Sequence, residues 1–198
     1  VLVMGHKNSD MDAIGAAAGM VCAARVKGKP VHIVVDQQHT MASDLIERLE
    51  SLPEYKDVFI SAEDAMIMCD FNTLLIVVDV NRPSITDEPS LLKLIKTIVV
   101  LDHHRTSSEI IDNAVLSYVE PYASSACEMA EVLQYIMDGI KVRPAEADAM
   151  YAGIVIDTQN FTNQTGVRTF EAAAYLRRSG ADITRVRKLF RENMVDYQ

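Results

Sequence analysis

The sequence predicts an α/β protein, a mostly parallel sheet with helices on both faces, followed by a helical C-terminal part. Three observations carry this prediction. Apolar runs of strand length recur at residues 1–4, 31–35, 74–78 and 97–101, each closed by a turn-forming or acidic residue. Stretches with helical spacing lie between them, and such alternation is the pattern of a parallel sheet buried on both faces. Beyond residue 120 the strand-like runs give way to helical ones.

The first strand ends at Gly5, and the loop after it bears His6, Asp10 and Asp12. From Asp12 to Lys27 nearly every residue is small or apolar, so this helix must be buried almost all round, and Gly15 and Gly19 let it approach its neighbours closely. Gly28-Lys29-Pro30 stops it. A strand at 31–36 follows, then helical spacing of Leu45, Ile46 and Leu49 within 41–51, a turn at Pro53 and a short strand at 58–60. Ser61-Ala62-Glu63-Asp64 reads as a capped helix start with early acids, and that helix ends by Cys69. The next strand closes on Asp79. Asp87-Glu88-Pro89-Ser90 introduces a helix through Ile95, the strand after it delivers Asp102-His103-His104, and residues 114–119 make the last strand. Helices are expected at 124–139, 144–157, 169–179 and 183–194, with Gly139 and Gly180 where helix ends belong. A sheet part at 1–120 and a helical part at 121–198 follow from this division.

The chemistry is concentrated where apolar runs end. His6, Asp10 and Asp12 follow the first, Asp79 follows 74–78, Asp102-His103-His104 follow 97–101, and Asp157 follows 154–156. Open α/β sheets build their sites at the carboxyl ends of strands. In the first loop alone, capping of the helix by Asp10 or Asp12 explains the residues as well as a cation does. Recurrence along the chain favours the cation. If His6, Asp10, Asp12, Asp79, His103 and Asp157 converge, their imidazoles and carboxylates suit two divalent ions, manganese rather than a zinc cluster. A shared carboxylate would hold such ions about 3.5–4 Å apart, the separation used in two-metal hydrolysis. Cys22, Cys69 and Cys127 are scattered among apolar residues and read as reduced thiols, not ligands.

The bulk properties narrow the partners. With 198 residues, 49% of them hydrophobic, the chain can bury a sizeable core. A net charge of −9 argues against binding duplex nucleic acid, which needs clustered cations. No apolar stretch is long enough to span a bilayer, so the expectation is a soluble piece without membrane contact of its own. Its first residue lies on a core strand, and it is therefore expected to be an excised part of a longer protein.

The motifs and their order resemble the DHH phosphoesterase family, named for the triplet that stands here as Asp102-His103-His104, over nearly the whole chain. The resemblance implies that His6 and Asp10 hold one ion, that Asp12, His103 and Asp157 hold the other, and that Asp79 bridges them. It implies Asp102 behind the ligands, orienting a histidine by accepting its other N–H. His104 would face the substrate and act with Asp79 in catalysis. Arg82 and Arg105 would clamp phosphate with their planar forks. Ser124 and Ser125, at a helix start, would contact substrate, although capping explains them equally well.

Within the family, residues 5–15 and 78–84 are most similar to the bacterial cyclic-di-AMP phosphodiesterases, with Ser9 where proline is usual. That branch implies the cytoplasmic domain of a membrane-anchored protein and hydrolysis of a cyclic dinucleotide to linear pApA by metal-bound hydroxide; a homodimer is compatible with the sequence, which does not fix the oligomeric state. It also implies a smaller second domain, with a glycine-rich, histidine-containing motif, that closes over the substrate. No such motif occurs in this chain, so a DHH domain without that lobe, weakened in turnover, is expected. Cleavage of short oligoribonucleotides or of 3′-phosphoadenosine phosphate on the same scaffold is the alternative. An idle nucleotide-sensing module is a third reading, disfavoured because it has no reason to retain a set of costly buried polar groups.

Overall fold

The computed structural model describes residues 1–136 and 138–195, with side chains through residue 190. Its centre is a 6-stranded sheet in the order β3-β2-β1-β4-β5-β6, formed by β1 (Leu2–Met4), β2 (His32–Val34), β3 (Phe59–Ile60), β4 (Leu74–Val78), β5 (Thr97–Asp102) and β6 (Leu116–Val119). All neighbouring strands pair in parallel. The chain winds outward from β1 to β3, then crosses to β4 on the other side of β1. The crevice between the carboxyl ends of β1 and β4 is therefore the topological switch point, where such sheets bind ligands.

Alternate residues of each strand face opposite sides, as the pleat requires. Val3, Ile76, Val78 and Leu101 join one core with residues of α1 (Met11–Val26), α2 (Ser43–Glu50), α5 (Ser125–Ile136), α6 (Pro144–Asp157), α7 (Val167–Arg178) and α8 (Ile183–Val195). Leu2, Met4, Leu75, Val77, Ile98 and Val100 join a smaller core with α3 (Ala62–Met68) and α4 (Leu91–Leu94). Helices thus cover both faces, but unequally. The larger core draws on both the sheet part and the helical part.

The composition of α1 explains its place. It is buried from Met11 to Ala24, packed between the sheet and α5 and α6. A β-carbon at Gly15 would stand 2.6 Å from the Ala149 carbonyl oxygen, so α1 and α6 meet backbone against backbone. Ser61 caps α3 as expected, its hydroxyl accepting the Asp64 N–H at 3.1 Å. Gly139 and Gly180 take φ of +73° and +107° at the helix ends, a region that glycine enters without strain.

The helix that Asp87-Glu88-Pro89-Ser90 introduces is a single turn capped at Ile95. Only Leu91–Leu94 is helical in the stretch from Asp87 to Ile95. Asp87 is taken by distant partners: its N–H donates to Gly5 O at 3.0 Å and its carboxylate accepts the Asp36 N–H at 3.0 Å. Among the described residues, no helix is long and apolar enough to cross a membrane.

Candidate metal centre

The first loop is held in place by the segment that follows β4. The Lys7 N–H donates to Ile85 O at 2.9 Å, and the Ser9 hydroxyl donates to His6 O at 2.7 Å. Asp10 caps α1, with Oδ1 accepting from the N–H groups of Asp12 (2.9 Å) and Ala13 (3.1 Å), and that same oxygen lies 3.7 Å from His6 Nε2. Capping and ligation are therefore compatible at this residue.

Asp12 is fully buried in the first turn of α1. Its carboxylate accepts the backbone N–H groups of Ser125 (2.6 Å) and Ala126 (2.9 Å), the exposed donors of the α5 N-terminus. Asp79, directly after β4, has φ of +61°, a strained value for a residue with a side chain and one that clusters at functional sites. The turn places its carboxylate between two histidines, with Oδ2 3.4 Å from His6 Nε2 and Oδ1 3.3 Å from His103 Nε2. The Ser125 hydroxyl donates to Asp79 Oδ1 at 3.1 Å. His103 Nε2 also lies 3.1 Å from Asp157 Oδ2, at the C-terminal end of α6, and 3.7 Å from Asp12 Oδ2.

All of the expected ligands therefore meet. His6, Asp10 and Asp79 form one group, and Asp12, His103 and Asp157 another, with ligand atoms within 4.8 Å of one another in each. A further group of Asp79, His103 and His104 shares Asp79 with the first and His103 with the second, and so links them. The electrostatics show how strongly this cluster demands positive charge. Burial opposes a charged imidazole, yet Asp10 and Asp79 push His6 up to about 11, and Asp157 and Asp79 do the same to His103. Burial, then the charges of Asp79 and Asp157, hold the Asp12 carboxyl well above its ordinary value. His103 Nε2 is buried yet makes no hydrogen bond, despite the three carboxylates around it. An orphaned ring nitrogen facing converged carboxylates is the donor set of a divalent cation, and the residues fit one.

Asp102 is fully buried, and its Oδ1 lies 2.8 Å from His104 Nδ1. The histidine it orients is thus His104 and not His103. Its other oxygen accepts from Asn81 Nδ2, a residue the sequence reading passed over. Its signal in the sequence is its place two residues after Asp79, within the stretch 78–84. His104 lines a cavity of about 1030 Å³ together with His6, Asp10, Asp79, His103 and Asp157, with Arg82 and Arg105 from the loops after β4 and β5, and with Tyr122 and Gln164.

Ser124 and Ser125 do not line that cavity, which corrects the expectation of substrate contact. They are 0% and 1% exposed. Ser124 Oγ accepts the Cys127 N–H at 3.0 Å and so caps α5, while Ser125 braces Asp79 and Asp12 from behind. The free thiols of Cys22 and Cys127 are buried and stand outside the cluster.

The chain is similar to several known proteins. A cyclic-di-AMP phosphodiesterase of Bacillus subtilis is 42% identical over 200 residues, covering 100% of this chain and 30% of its own length. A probable manganese-dependent inorganic pyrophosphatase of Bacillus cereus is 25% identical over 177 residues, covering 88% of this chain and 53% of its own. Among solved structures, an exopolyphosphatase-related protein from Bacteroides fragilis shares the fold with a TM-score of 0.75 at 18% identity, over 95% of this chain and 55% of its own. The chain spans 30% of the length of the phosphodiesterase. Residues 1–154 match the DHH family, N-terminal domain, and the chain belongs to that family.

Proposed function

We propose that this chain is the hydrolytic domain of a metal-dependent phosphodiesterase that opens cyclic-di-AMP to linear pApA. The observation that carries the reading is Asp79, a member of the first ligand group whose two carboxylate oxygens lie one beside His6 and the other beside His103 of the second group. His6, Asp10 and Asp79 would hold one ion, and Asp12, His103 and Asp157, with Asp79, the second. Two divalent cations there, manganese by the nitrogen and oxygen donor set, would neutralise a phosphodiester and acidify water. The manganese-dependent relative supports that choice of metal.

The chain's own residues supply the rest. Asp102 fixes the His104 ring and raises its proton affinity, leaving Nε2 to deliver a proton to the departing oxygen. Arg82 and Arg105 stand exposed at the cavity wall, where planar forks suit the second phosphate of a cyclic dinucleotide. A volume of about 1030 Å³ has room for such a ligand. The phosphodiesterase resemblance along the full chain supports this substrate over other phosphate esters. The reading includes a longer, membrane-anchored parent with this domain on the cytoplasmic side.

The test is hydrolysis of cyclic-di-AMP, linear pApA and 3′-phosphoadenosine phosphate by the chain and by its longer parent, with manganese. Cyclic-di-AMP should be the preferred substrate, and Asp79→Ala should abolish turnover. Preference for either linear compound would overturn the substrate, and an active Asp79→Ala variant would overturn the site.

A further inference from the structure

Several cations of this acidic chain gather in one cavity. At the end of α1 and α6 remote from the metal centre lies a second cavity of about 790 Å³, lined by Arg25, Arg48, Lys141, Arg143 and Arg185. Both helices run from one site to the other: α1 carries Asp12 near its start and Arg25 near its end, while α6 carries Glu146 near its start and Asp157 at its end. The rise along a helix separates Asp12 from Arg25 by about 20 Å. A ligand in this cavity is therefore a second molecule, distinct from the substrate.

The cations exceed what the local acids require. Glu146 and Asp148 are fully buried beneath the cavity. Arg25 engages both oxygens of Glu146, with Nη2 at 2.9 Å from Oε2, and Tyr55 OH and the Arg143 N–H complete that carboxylate's partners. Asp148 Oδ2 accepts from two guanidiniums at once, Arg48 Nη2 at 2.8 Å and Arg185 Nε at 2.7 Å. Arg143 pairs with Glu54, and among the described residues Lys141 has no acidic partner. Asp182 turns its carboxylate to the Arg185 N–H and does not line the cavity. A buried carboxylate needs one counter-ion. The second guanidinium on Asp148 and the Lys141 ammonium are therefore surplus positive charge facing a concavity.

We propose that this cavity is a second ligand site, taking a small anion with two or more phosphate groups. Glu54 is the acid among the described lining residues and is taken by Arg143, so the wall keeps a net positive charge that focuses the field on an entering counter-ion. Guanidinium forks already pinned by buried acids are pre-organised for phosphate oxygens, with little side-chain freedom left to lose. The volume admits a ligand as large as a nucleotide.

The experiment is isothermal titration of inorganic tripolyphosphate into the chain in a chelating buffer, where the metal centre carries carboxylates and no cation to attract it. One-to-one binding is expected, weakened at least about tenfold by Lys141→Glu and by Arg48→Ala, and unmoved by Arg82→Ala with Arg105→Ala. Lys141 is exposed, and Arg48→Ala leaves Asp148 its Arg185 partner, so an unchanged ligand-free melting temperature should certify both folds. Absence of binding, indifference to both variants, or loss in the Arg82 and Arg105 variant instead overturns the site. A tetraglutamate peptide bound more tightly than tripolyphosphate overturns the ligand class.

Discussion

Gly153 on α6 lies directly over Asp12 on α1, so that a β-carbon at 153 would stand 2.7 Å from Asp12 Oδ1 and 2.9 Å from its α-carbon. The missing side chain sets how deeply α6 approaches. It thereby brings Asp157, one helical turn further along, into the same cluster as Asp12 and His103. In an ordinary helix interior Gly→Ala stabilises by up to about 1 kcal/mol. Here Gly153→Ala must displace Asp12 or α6, and overpacking of this kind costs about 1–3 kcal/mol. Denaturant unfolding should show the loss, and elemental analysis should show fewer divalent ions per chain than in the unsubstituted protein, one against two if the proposed centre holds. A variant that is stabilised and keeps both ions would refute the packing argument.

Ser125 and Ser124 stand side by side and should behave differently. Ser125→Ala removes the hydroxyl that braces Asp79 while the backbone bonds to Asp12 remain. Loss of such a bracing partner weakens metal affinity about 10–100-fold. Ser124→Ala removes a helix cap, which costs about 1 kcal/mol of stability and should leave metal affinity unchanged. Metal titration and thermal unfolding of both variants separate these outcomes. A change confined to substrate affinity in either variant would restore a direct substrate contact.

The residues visible in the sequence are those whose signal is local. A strand buried on both faces reads as an unbroken apolar run, and a polar ligand closing such a run is conspicuous, which is why His6, Asp79 and His103 stand out. Roles created by partners far along the chain leave no such mark. Asn81 acquires its function from Asp102, 21 residues on, and Ser125 from Asp79, 46 residues back. Asp87, just before α4, is likewise bound to Gly5 and Asp36 across the switch point, which its own segment does not announce. The cationic cavity is assembled from arginines in three helices and a loop, each unremarkable in its own segment.

Glu128 predicts how stability varies with pH. It is fully buried on α5, and neither carboxylate oxygen has a hydrogen-bond partner. Burial, and then the charge of Asp102, pushes it up to about 8. The folded state thus holds a proton that the unfolded chain releases near the ordinary carboxylate value, so stability is greatest below that value. It should decline as pH rises toward about 8 and level off above it. Glu128→Gln, which cannot ionise, should match the parent near pH 4 and be the more stable of the two near pH 9. Urea midpoints across that range, measured without metal, test the sign. Parallel curves would mean that Glu128 finds a partner in solution.

Asp102 should act on turnover through His104 alone. Its carboxylate, 2.8 Å from His104 Nδ1, is the chief cause of that ring's raised proton affinity, ahead of the opposing effect of burial. Asp102→Asn keeps the side-chain shape and removes the charge. If His104 delivers the proton to the departing oxygen, turnover needs its protonated form and fails as pH rises through its pKa. Removing Asp102's charge lowers that pKa, so the alkaline limb of the kcat profile should move to lower pH. Turnover near neutrality should fall by about 10²–10⁴. Because the nearest ligand, His103, takes its charge demand from Asp157 and Asp79, ion content should not change. A profile that drops without shifting, together with lost metal, would instead make Asp102 a prop for the ligands and leave His104 without a proton-transfer role.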